Sequence, residues 1–133
     1  MNNELYARVR FRARFRCEYC RFPENASNLP FPVDHIISRQ HGGETEIDNL
    51  ALSCPSCNLH KGPNLATIEW PDQDLIPLFH PRKNRWSGHF RFEGAAISGI
   101  PTIGRATVRL LQMNSDMRIE ERTSLMLEGE DWR

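Results

Sequence analysis

The sequence predicts a single small α+β domain, and three features of the chain support this fold class. Its 133 residues, of which 39% are apolar, suffice for one hydrophobic core and are few for two. A β, β, α order is readable in the first half, which also carries two C-x2-C pairs, and a hairpin with helices is readable in the second. We therefore treat 1–133 as one domain, with a core at 1–64 and an extended connection, hairpin and C-terminal helices at 65–133.

The first element is an arginine-rich segment at 8–16, in which arginine alternates with other residues. Such a period of two is typical of a half-buried strand. A helix is equally compatible, because Leu5, Val9 and Ala13 recur at i, i+4 and i+8 and an asparagine at 2 or 3 can cap it. Periodicity alone leaves both structures open.

Short elements follow the first cysteine pair. Prolines and asparagines predict a loop at 23–32, and the β-formers at 33–37 predict a short strand. A second strand is predicted at 50–53. A brief helix is predicted to begin at Asn58 and to end at Gly62.

The second half is punctuated by prolines. Four of them fall at 63–81 and interrupt any regular element, which predicts an extended surface connection. A hairpin is predicted from 89–92 and 96–100. Thr102 can cap a helix with one apolar face, and Ser115 can cap a last acidic helix.

Charge and hydropathy exclude two classes of protein. Lysine plus arginine and aspartate plus glutamate both total 17, so the chain is not a uniformly basic, histone-like binder, although local patches of one sign remain possible. The longest uncharged and largely apolar stretch, 94–104, is far shorter than the roughly 20 residues of a membrane-spanning helix, and the charged segment 1–10 is unlike a signal peptide. We expect a cytoplasmic protein with no membrane partner.

The two cysteine pairs predict a metal centre. Each C-x2-C knuckle presents two thiolates at a separation that a tetrahedral ion accepts, and two knuckles complete one site. Since no position stays open for water, the ion is expected to be a structural Zn²⁺. Unrelated buried thiols or a redox pair are the alternative reading. The predicted ligands are Cys17, Cys20, Cys54 and Cys57.

The spacer between the knuckles is longer than that of a simple zinc ribbon, and it contains Asp34 and His35. Such a pair alone is more often a surface or strand-end feature. Asn58, however, directly follows a predicted zinc ligand, and its amide oxygen and the Asp34 carboxylate suit Mg²⁺ or Mn²⁺. His35 supplies an imidazole, the side chain that most often serves as a general base for water. Asn49 precedes the second strand, where its amide can bond the opposing strand and hold His35.

Taken together, these motifs resemble the HNH endonuclease family over residues 5–62. The resemblance rests on Cys17-x2-Cys20, Asp34-His35-Ile36-Ile37, Gly42-Gly43, Asn49-Leu50 and Cys54-x2-Cys57-Asn58-x2-Lys61-Gly62, in this order. It implies a ββα-metal (His-Me) finger supported by structural zinc, and hydrolysis of DNA phosphodiester bonds to 5′-phosphate and 3′-hydroxyl ends. It also implies that the arginine-rich segment is a helix.

The resemblance assigns a role to four residues. His35 resembles the family's general base, Asn49 its middle structural asparagine, Asn58 its third, metal-binding signature residue and Asp34 the companion metal ligand. Because the last signature position holds asparagine where the family often has histidine, a catalytic Mg²⁺ or Mn²⁺ is favoured over a catalytic zinc. Adjacent strand residues point to opposite faces, so the strand must end or twist at 34–35 for both side chains to serve one site.

Basic residues are the expected DNA contacts. The segment 8–21 holds six arginines and one acid, Glu18, which gives it a net charge of about +5. A solvated basic face is the alternative interpretation. The predicted DNA-binding residues are Arg8, Arg10, Arg12, Arg14, Arg16, Arg39 and Lys61.

Two other functions stay open at this point. One is a catalytically inactive, zinc-dependent module that binds nucleic acid or protein, and the other is a structural zinc domain docked on a larger assembly. An inactive copy is expected to lose its catalytic residues first, and the presence of all four therefore favours the enzyme. DNA is the expected partner. A homodimer is possible, but nothing in the sequence indicates one.

Overall fold

The computed structural model of the chain describes residues 2–133. Within this range, four α-helices and three two-stranded antiparallel sheets build an α+β fold, as the sequence predicts. None of the helices in this range is long and apolar enough to cross a membrane.

The arginine-rich segment begins as a helix, α1 (Asn3–Arg12). Asn2 is its N-cap, because its side-chain oxygen accepts a hydrogen bond of 2.7 Å from the N–H of Leu5. The helix ends before the arginines do. Arg14 and Phe15 adopt positive φ angles of 56° and 57°, so the last part of the segment is a tight turn leading into the first knuckle.

The predicted β, β, α order is present. Strands β1 (Val33–His35) and β2 (Leu50–Leu52) pair antiparallel, and α2 (Pro55–Lys61) follows. The helix begins three residues earlier than predicted. Cys54 caps it by accepting from the N–H of Cys57 at 3.3 Å, and a proline stands in its first turn, where no N–H is needed.

The prediction of an extended connection is wrong for residues 66–77. Strands β3 (Ala66–Glu69) and β4 (Asp74–Pro77) form an antiparallel hairpin there. The prolines do not interrupt it, because Pro71 lies in the turn and Pro77 ends the second strand, where a missing N–H is tolerated.

The remaining elements match the prediction closely. Strands β5 (Phe90–Glu93) and β6 (Ala96–Gly99) form the second hairpin, and α3 (Thr102–Leu110) and α4 (Asp116–Leu127) complete the chain. Helix α4 starts directly after Ser115, as expected, although the Ser115 side chain makes no capping hydrogen bond within residues 2–133. Thr102 is the first residue of α3 and not its N-cap, which is Pro101.

Helix α3 crosses the second hairpin at close range. A Cβ at Gly104 would lie 2.0 Å from the carbonyl oxygen of His89, and one at Gly99 would lie 2.3 Å from the amide nitrogen of Arg105. Glycine is therefore required at both positions for the backbones to approach.

One hydrophobic core joins the two halves of the chain. Its buried apolar side chains come from α1, β2, the β5–β6 hairpin, the segment after α3 and the loops before β1 and after β4. They include Val9, Phe31, Leu50, Leu52, Phe79, Phe90, Ile97, Leu111 and Met113. The ββα unit is thus packed against the C-terminal half rather than held by the cysteines alone.

Candidate functional site

The four cysteines form one buried cluster. Their sulfur atoms all lie within 4.8 Å of one another, and all four side chains are buried. A tetrahedral Zn²⁺ with Zn–S bonds of about 2.3 Å separates its sulfurs by roughly 3.8 Å, which this spacing accommodates. Within residues 2–133 none of the cysteines is in a disulfide. The residues therefore fit a four-cysteine zinc centre.

Backbone N–H groups support the thiolate form of this cluster. The N–H of Cys20 and that of Tyr19 each donate to the sulfur of Cys17 at 3.4 Å, and Cys54 receives the helix-capping bond already described. Such donors favour a charged sulfur over a neutral thiol. The local backbone is thus arranged around metal-binding thiolates.

Arg118 of α4 reaches the same sulfurs, a contact that the sequence analysis missed. Its guanidinium donates to Cys57 at 3.1 Å and to Cys54 at 3.5 Å, and also to the carbonyl oxygen of Leu111 at 2.9 Å. The side chain is buried. A zinc ion with four thiolates carries a net charge of about −2, so a buried guanidinium beside it offsets part of that charge. The large separation along the chain left no local sequence signal for this contact.

Asp34 faces the interior of the ββα unit. Its Oδ2 accepts a hydrogen bond of 2.7 Å from the hydroxyl of Tyr19 and lies 3.1 Å from the Nζ of Lys61. Burial raises the pKa of Asp34, while Lys61 and the Tyr19 hydroxyl act in the opposite direction. The carboxylate is therefore already paired in this structure.

Lys61 is placed differently from its prediction as a DNA contact. Its side chain is only 3% exposed, and its ammonium lies among the carboxylate of Asp34, the carbonyl oxygen of His35 at 3.4 Å and that of Ile36 at 3.1 Å. A buried, paired ammonium is not presented to a DNA backbone. Asp34 and the two carbonyl oxygens hold the side chain inward, so this structure does not present Lys61 as the DNA contact that was expected.

His35 lies at the end of β1, where the strand was expected to stop. Its Nε2 is 2.9 Å from the hydroxyl of Thr45, and the ring is half-buried. Asp34 and His35 nevertheless use opposite faces of the strand, since one contacts Tyr19 and Lys61 in the interior and the other contacts a loop residue. The two side chains therefore share no contact partner among the described residues, and a common site requires the end of β1 to present both of them to one phosphate. Thr45 was not singled out from the sequence.

Asn49 closes the loop between β1 and β2. Its Oδ1 accepts from the N–H of Ile37 and its Nδ2 donates to the carbonyl oxygens of Ile37 and Glu44, each at 2.9 Å. This is the contact with the opposing backbone that its position predicted. Gly43 makes it possible, because a Cβ there would lie 1.7 Å from the Ile37 oxygen and 2.9 Å from the Asn49 amide nitrogen.

Asn58 sits in the middle of α2, one residue after a cysteine of the cluster. Its N–H donates to the carbonyl oxygen of Cys54 at 3.0 Å, and its side chain is half-buried. Residues three apart on a helix share a face, so Asn58 stands on the side of α2 from which Lys61 reaches β1. Its amide is thus on the same side of the helix as the Asp34 interaction.

Two arginines of the predicted DNA-binding set make internal contacts. The Nε of Arg10 donates to the Oε1 of Glu24 at 3.0 Å, and the guanidinium of Arg12 donates to the carbonyl oxygen of Ile47 at 2.7 Å and to that of Leu50. These bonds hold α1 against the ββα unit. Both side chains are thus engaged in positioning the helix.

The other arginines of that set have no acidic partner within the described part of the chain. Three of them are exposed and one is half-buried in the turn after α1. These residues are Arg8, Arg14, Arg16 and Arg39.

The stretch that carries both knuckles, β1, β2 and α2 has a match among known families. Residues 17–64 match the family model described as HNH endonuclease. We call this matched segment the HNH domain. No curated protein and no solved structure matches the chain.

The HNH domain gives the described contacts a functional frame. It indicates a nuclease-type hydrolase with a nucleic-acid substrate, and its matched range contains the four-cysteine cluster together with Asp34, His35, Asn49 and Asn58. Helix α1 and residues 65–133 lie outside the match. The HNH domain is therefore embedded in a fold to which α1, the β5–β6 hairpin and the segment after α3 contribute core residues and α4 contributes the Arg118 contact.

Proposed function

We propose that the chain is a metal-dependent endonuclease that hydrolyses DNA phosphodiester bonds, with His35 as the general base. The observation that carries this proposal is the pair of hydrogen bonds between the Asn49 amide and the backbone of Ile37 inside the HNH domain. It closes the loop that begins directly after His35, and so fixes the backbone that presents the imidazole.

The imidazole of His35 takes a proton from the attacking water. Its Nε2 is engaged by the Thr45 hydroxyl at 2.9 Å. When Nε2–H donates to that hydroxyl, Nδ1 is left as the basic nitrogen and receives the proton as the water oxygen bonds to phosphorus. The bond between phosphorus and the 3′ oxygen then breaks, and that oxygen takes a proton from solvent water, which leaves 5′-phosphate and 3′-hydroxyl ends.

A hard cation, Mg²⁺ or Mn²⁺, is proposed at Asp34 and Asn58. The oxygens around the Lys61 ammonium come from a carboxylate and two backbone carbonyls, which are the donors that such a cation prefers. The Lys61 ammonium thus occupies a position where positive charge is favoured. For a cation to bind at Asp34, this ammonium must move away from the carboxylate. When bound, the cation supplies charge neutralisation at the phosphate and the departing oxygen.

The zinc centre is proposed to be structural. All four cysteines are buried and both knuckles are closed by backbone N–H donors, which leaves no open position for water. Its task is to fix Tyr19 and Asn58, which lie within or beside the knuckles, relative to β1.

One observation favours a second candidate, a catalytically inactive module that binds nucleic acid or protein. The ion pair of Asp34 with Lys61 satisfies the buried carboxylate without any metal. Under this alternative, Asp34 would be a structural residue.

A plasmid cleavage assay on the zinc-loaded protein separates the two. We expect cleavage that depends on added Mg²⁺ or Mn²⁺ and falls roughly a hundredfold or more in His35→Ala, the usual scale for loss of a general base. His41→Ala is the matched control, because His41 is an exposed histidine outside these contacts, and it should cleave like the parent. Binding of DNA without cleavage under either cation would support the inactive module, and parental cleavage by His35→Ala would overturn the assignment of the base.

A further inference from the structure

A concave pocket of about 270 Å³ opens beside the first cysteine knuckle, and positively charged side chains dominate its walls. It lies on the side of the knuckle that faces the turn after α1. Its chemically distinctive lining residues are Arg12, Arg14, Arg16, Glu18, Arg21 and Trp86.

Glu18, the one acidic residue in this lining, is already engaged. Its carboxylate pairs with Arg82, lies 3.8 Å from Arg12 and accepts from the N–H of Leu52 at 2.9 Å. Within residues 2–133, Arg14, Arg16 and Arg21 have no acidic partner. The pocket thus collects like charges that no group of the described chain compensates.

Arg21 is held in a fixed orientation. It directly follows Cys20 and adopts a φ of 67°, a conformation in which glycine would be the less strained residue. Its guanidinium carbon lies 4.3 Å from the centre of the Trp86 ring, and Trp86 is itself fixed by donating to the carbonyl oxygen of Tyr19 at 2.8 Å. A stacked guanidinium keeps the N–H groups along its edge free for an acceptor.

Arg16 enters the pocket from the other side of the knuckle. Its backbone pairs with Pro23 in an isolated β-bridge, and the N–H of the next residue, Cys17, donates to the carbonyl oxygen of Phe22 at 2.9 Å. Arg14, at a φ of 56°, adds a third charge from the turn. The zinc knuckle and its neighbouring turn thereby place around one space three arginines without an acidic partner in the described chain.

We propose that this pocket binds a phosphate group of the nucleic-acid substrate, apart from the phosphate that is cleaved. The proposal rests on the proposed function for the identity of the substrate. A phosphate offers three or more oxygens to the forked donors of two arginines, and its negative charge relieves their mutual repulsion. Tyr19 connects the pocket to the HNH centre, since its carbonyl accepts from Trp86 and its hydroxyl donates to Asp34.

The test measures DNA binding by the zinc-loaded protein without added Mg²⁺ or Mn²⁺, as a function of salt concentration. Each phosphate contact contributes about one unit to the slope of log K against log salt concentration. Arg16→Gln and Arg21→Gln should each lower the slope by about one unit. Arg21→Lys should keep the slope and bind more weakly, because it retains the charge and loses the fork. Arg105→Gln is the control, an exposed arginine of α3 close to Glu69.

Two oligonucleotides identify the source of the phosphate. The parent protein is tested against a duplex with a 5′-phosphate and the same duplex with a 5′-hydroxyl. If the 5′-phosphate duplex binds more tightly, and this difference is lost in Arg21→Gln, the pocket binds a terminal phosphate. Equal binding of the two duplexes, with the slope lowered by the glutamine variants, assigns it to a backbone phosphate.

If Arg16→Gln and Arg21→Gln both keep the parental slope at full zinc content, the proposal is overturned. It is also overturned if Arg105→Gln lowers the slope by as much as they do. If a glutamine variant loses its zinc, Arg21→Lys with parental affinity would overturn it. Because no step of this measurement requires cleavage, an inactive protein that shows the lowered slopes would refute the nuclease and leave the pocket intact.

Discussion

The guanidinium of Arg118 in α4 lies 3.1 Å from the sulfur of Cys57 in α2. This contact joins the last helix of the chain to the zinc centre of the HNH domain. Because the same guanidinium also donates to the carbonyl oxygen of Leu111, it ties the end of the segment after α3 to the sulfurs. Residues outside the matched family segment are thus part of the metal centre's surroundings.

Replacing Arg118 by methionine should weaken zinc binding. The variant keeps most of the buried volume and removes the positive charge beside the thiolates, and loss of a group that bonds metal ligands typically costs about 10- to 100-fold in metal affinity. Competition with a chelator of known affinity measures the change. Arg105→Met, an exposed position on α3, should bind zinc like the parent. Unchanged zinc affinity in Arg118→Met would mean that the contact does not stabilise the centre.

Removal of zinc should unfold more than the HNH domain. A structural zinc contributes on the order of 10 kcal/mol of apparent folding free energy, and its loss leaves the buried guanidinium of Arg118 without the negative charge that it offsets. Elemental analysis should find one zinc per chain. Hydrogen exchange after chelation should increase both in residues 17–64 and in α4. If α4 keeps its protection while residues 17–64 exchange, the two parts are not coupled through the metal.

Local patterns account for the part of this structure that the sequence predicted. The cysteine cluster follows from two short spacings, and Asn49 follows from its place before a strand, so both need only neighbours in sequence. The β3–β4 hairpin departs from the prediction because its two prolines do not interrupt a strand. Pro71 lies in the turn and Pro77 ends β4, where a hairpin needs no N–H.

Long-range pairs account for what the sequence could not predict. The inward turn of Lys61 to Asp34 and the reach of Arg118 to the cysteines depend on how α2 and α4 pack, and no periodicity or spacing encodes either contact. The motif predicted Asp34 as a residue of the site. Its partner could be found only in three dimensions.

Loss of the Asn49 side chain should disturb catalysis more than folding. Asn49→Ala removes the partners of both backbone groups of Ile37, which we expect to cost about 1–3 kcal/mol in the free energy of unfolding. Denaturant titration measures that loss, and plasmid cleavage should fall because the loop after His35 is released. Asn64→Ala, an exposed position at the end of the domain, serves as the control. If Asn49→Ala is destabilised but cleaves at the parental rate, the hydrogen bonds between Asn49 and Ile37 do not position His35.

The pairing of Lys61 with Asp34 predicts a competition with divalent cations. Lys61→Met leaves a buried carboxylate without its cationic partner, which should lower stability by about 3–5 kcal/mol when no divalent ion is added. If Mg²⁺ binds at Asp34, it should restore part of this loss and raise the melting temperature of Lys61→Met more than that of the parent. The exposed Lys83→Met should respond like the parent. Equal Mg²⁺ responses in all three proteins would place the cation elsewhere.

Metal rescue distinguishes the general base from the proposed cation ligands. Asp34→Asn is preferable to alanine, because the amide oxygen can still accept the Tyr19 hydroxyl while the charge that attracts a cation is removed. Asp34→Asn and Asn58→Ala should cleave slowly at low Mg²⁺ or Mn²⁺ and recover part of the rate at high concentration, since each loses one hard ligand. His35→Ala loses the group that takes the proton, and more metal cannot replace it. Cleavage rates over a range of cation concentrations measure this difference. Recovery of His35→Ala to the same degree as the other two would mean that His35 acts on the cation rather than on the water.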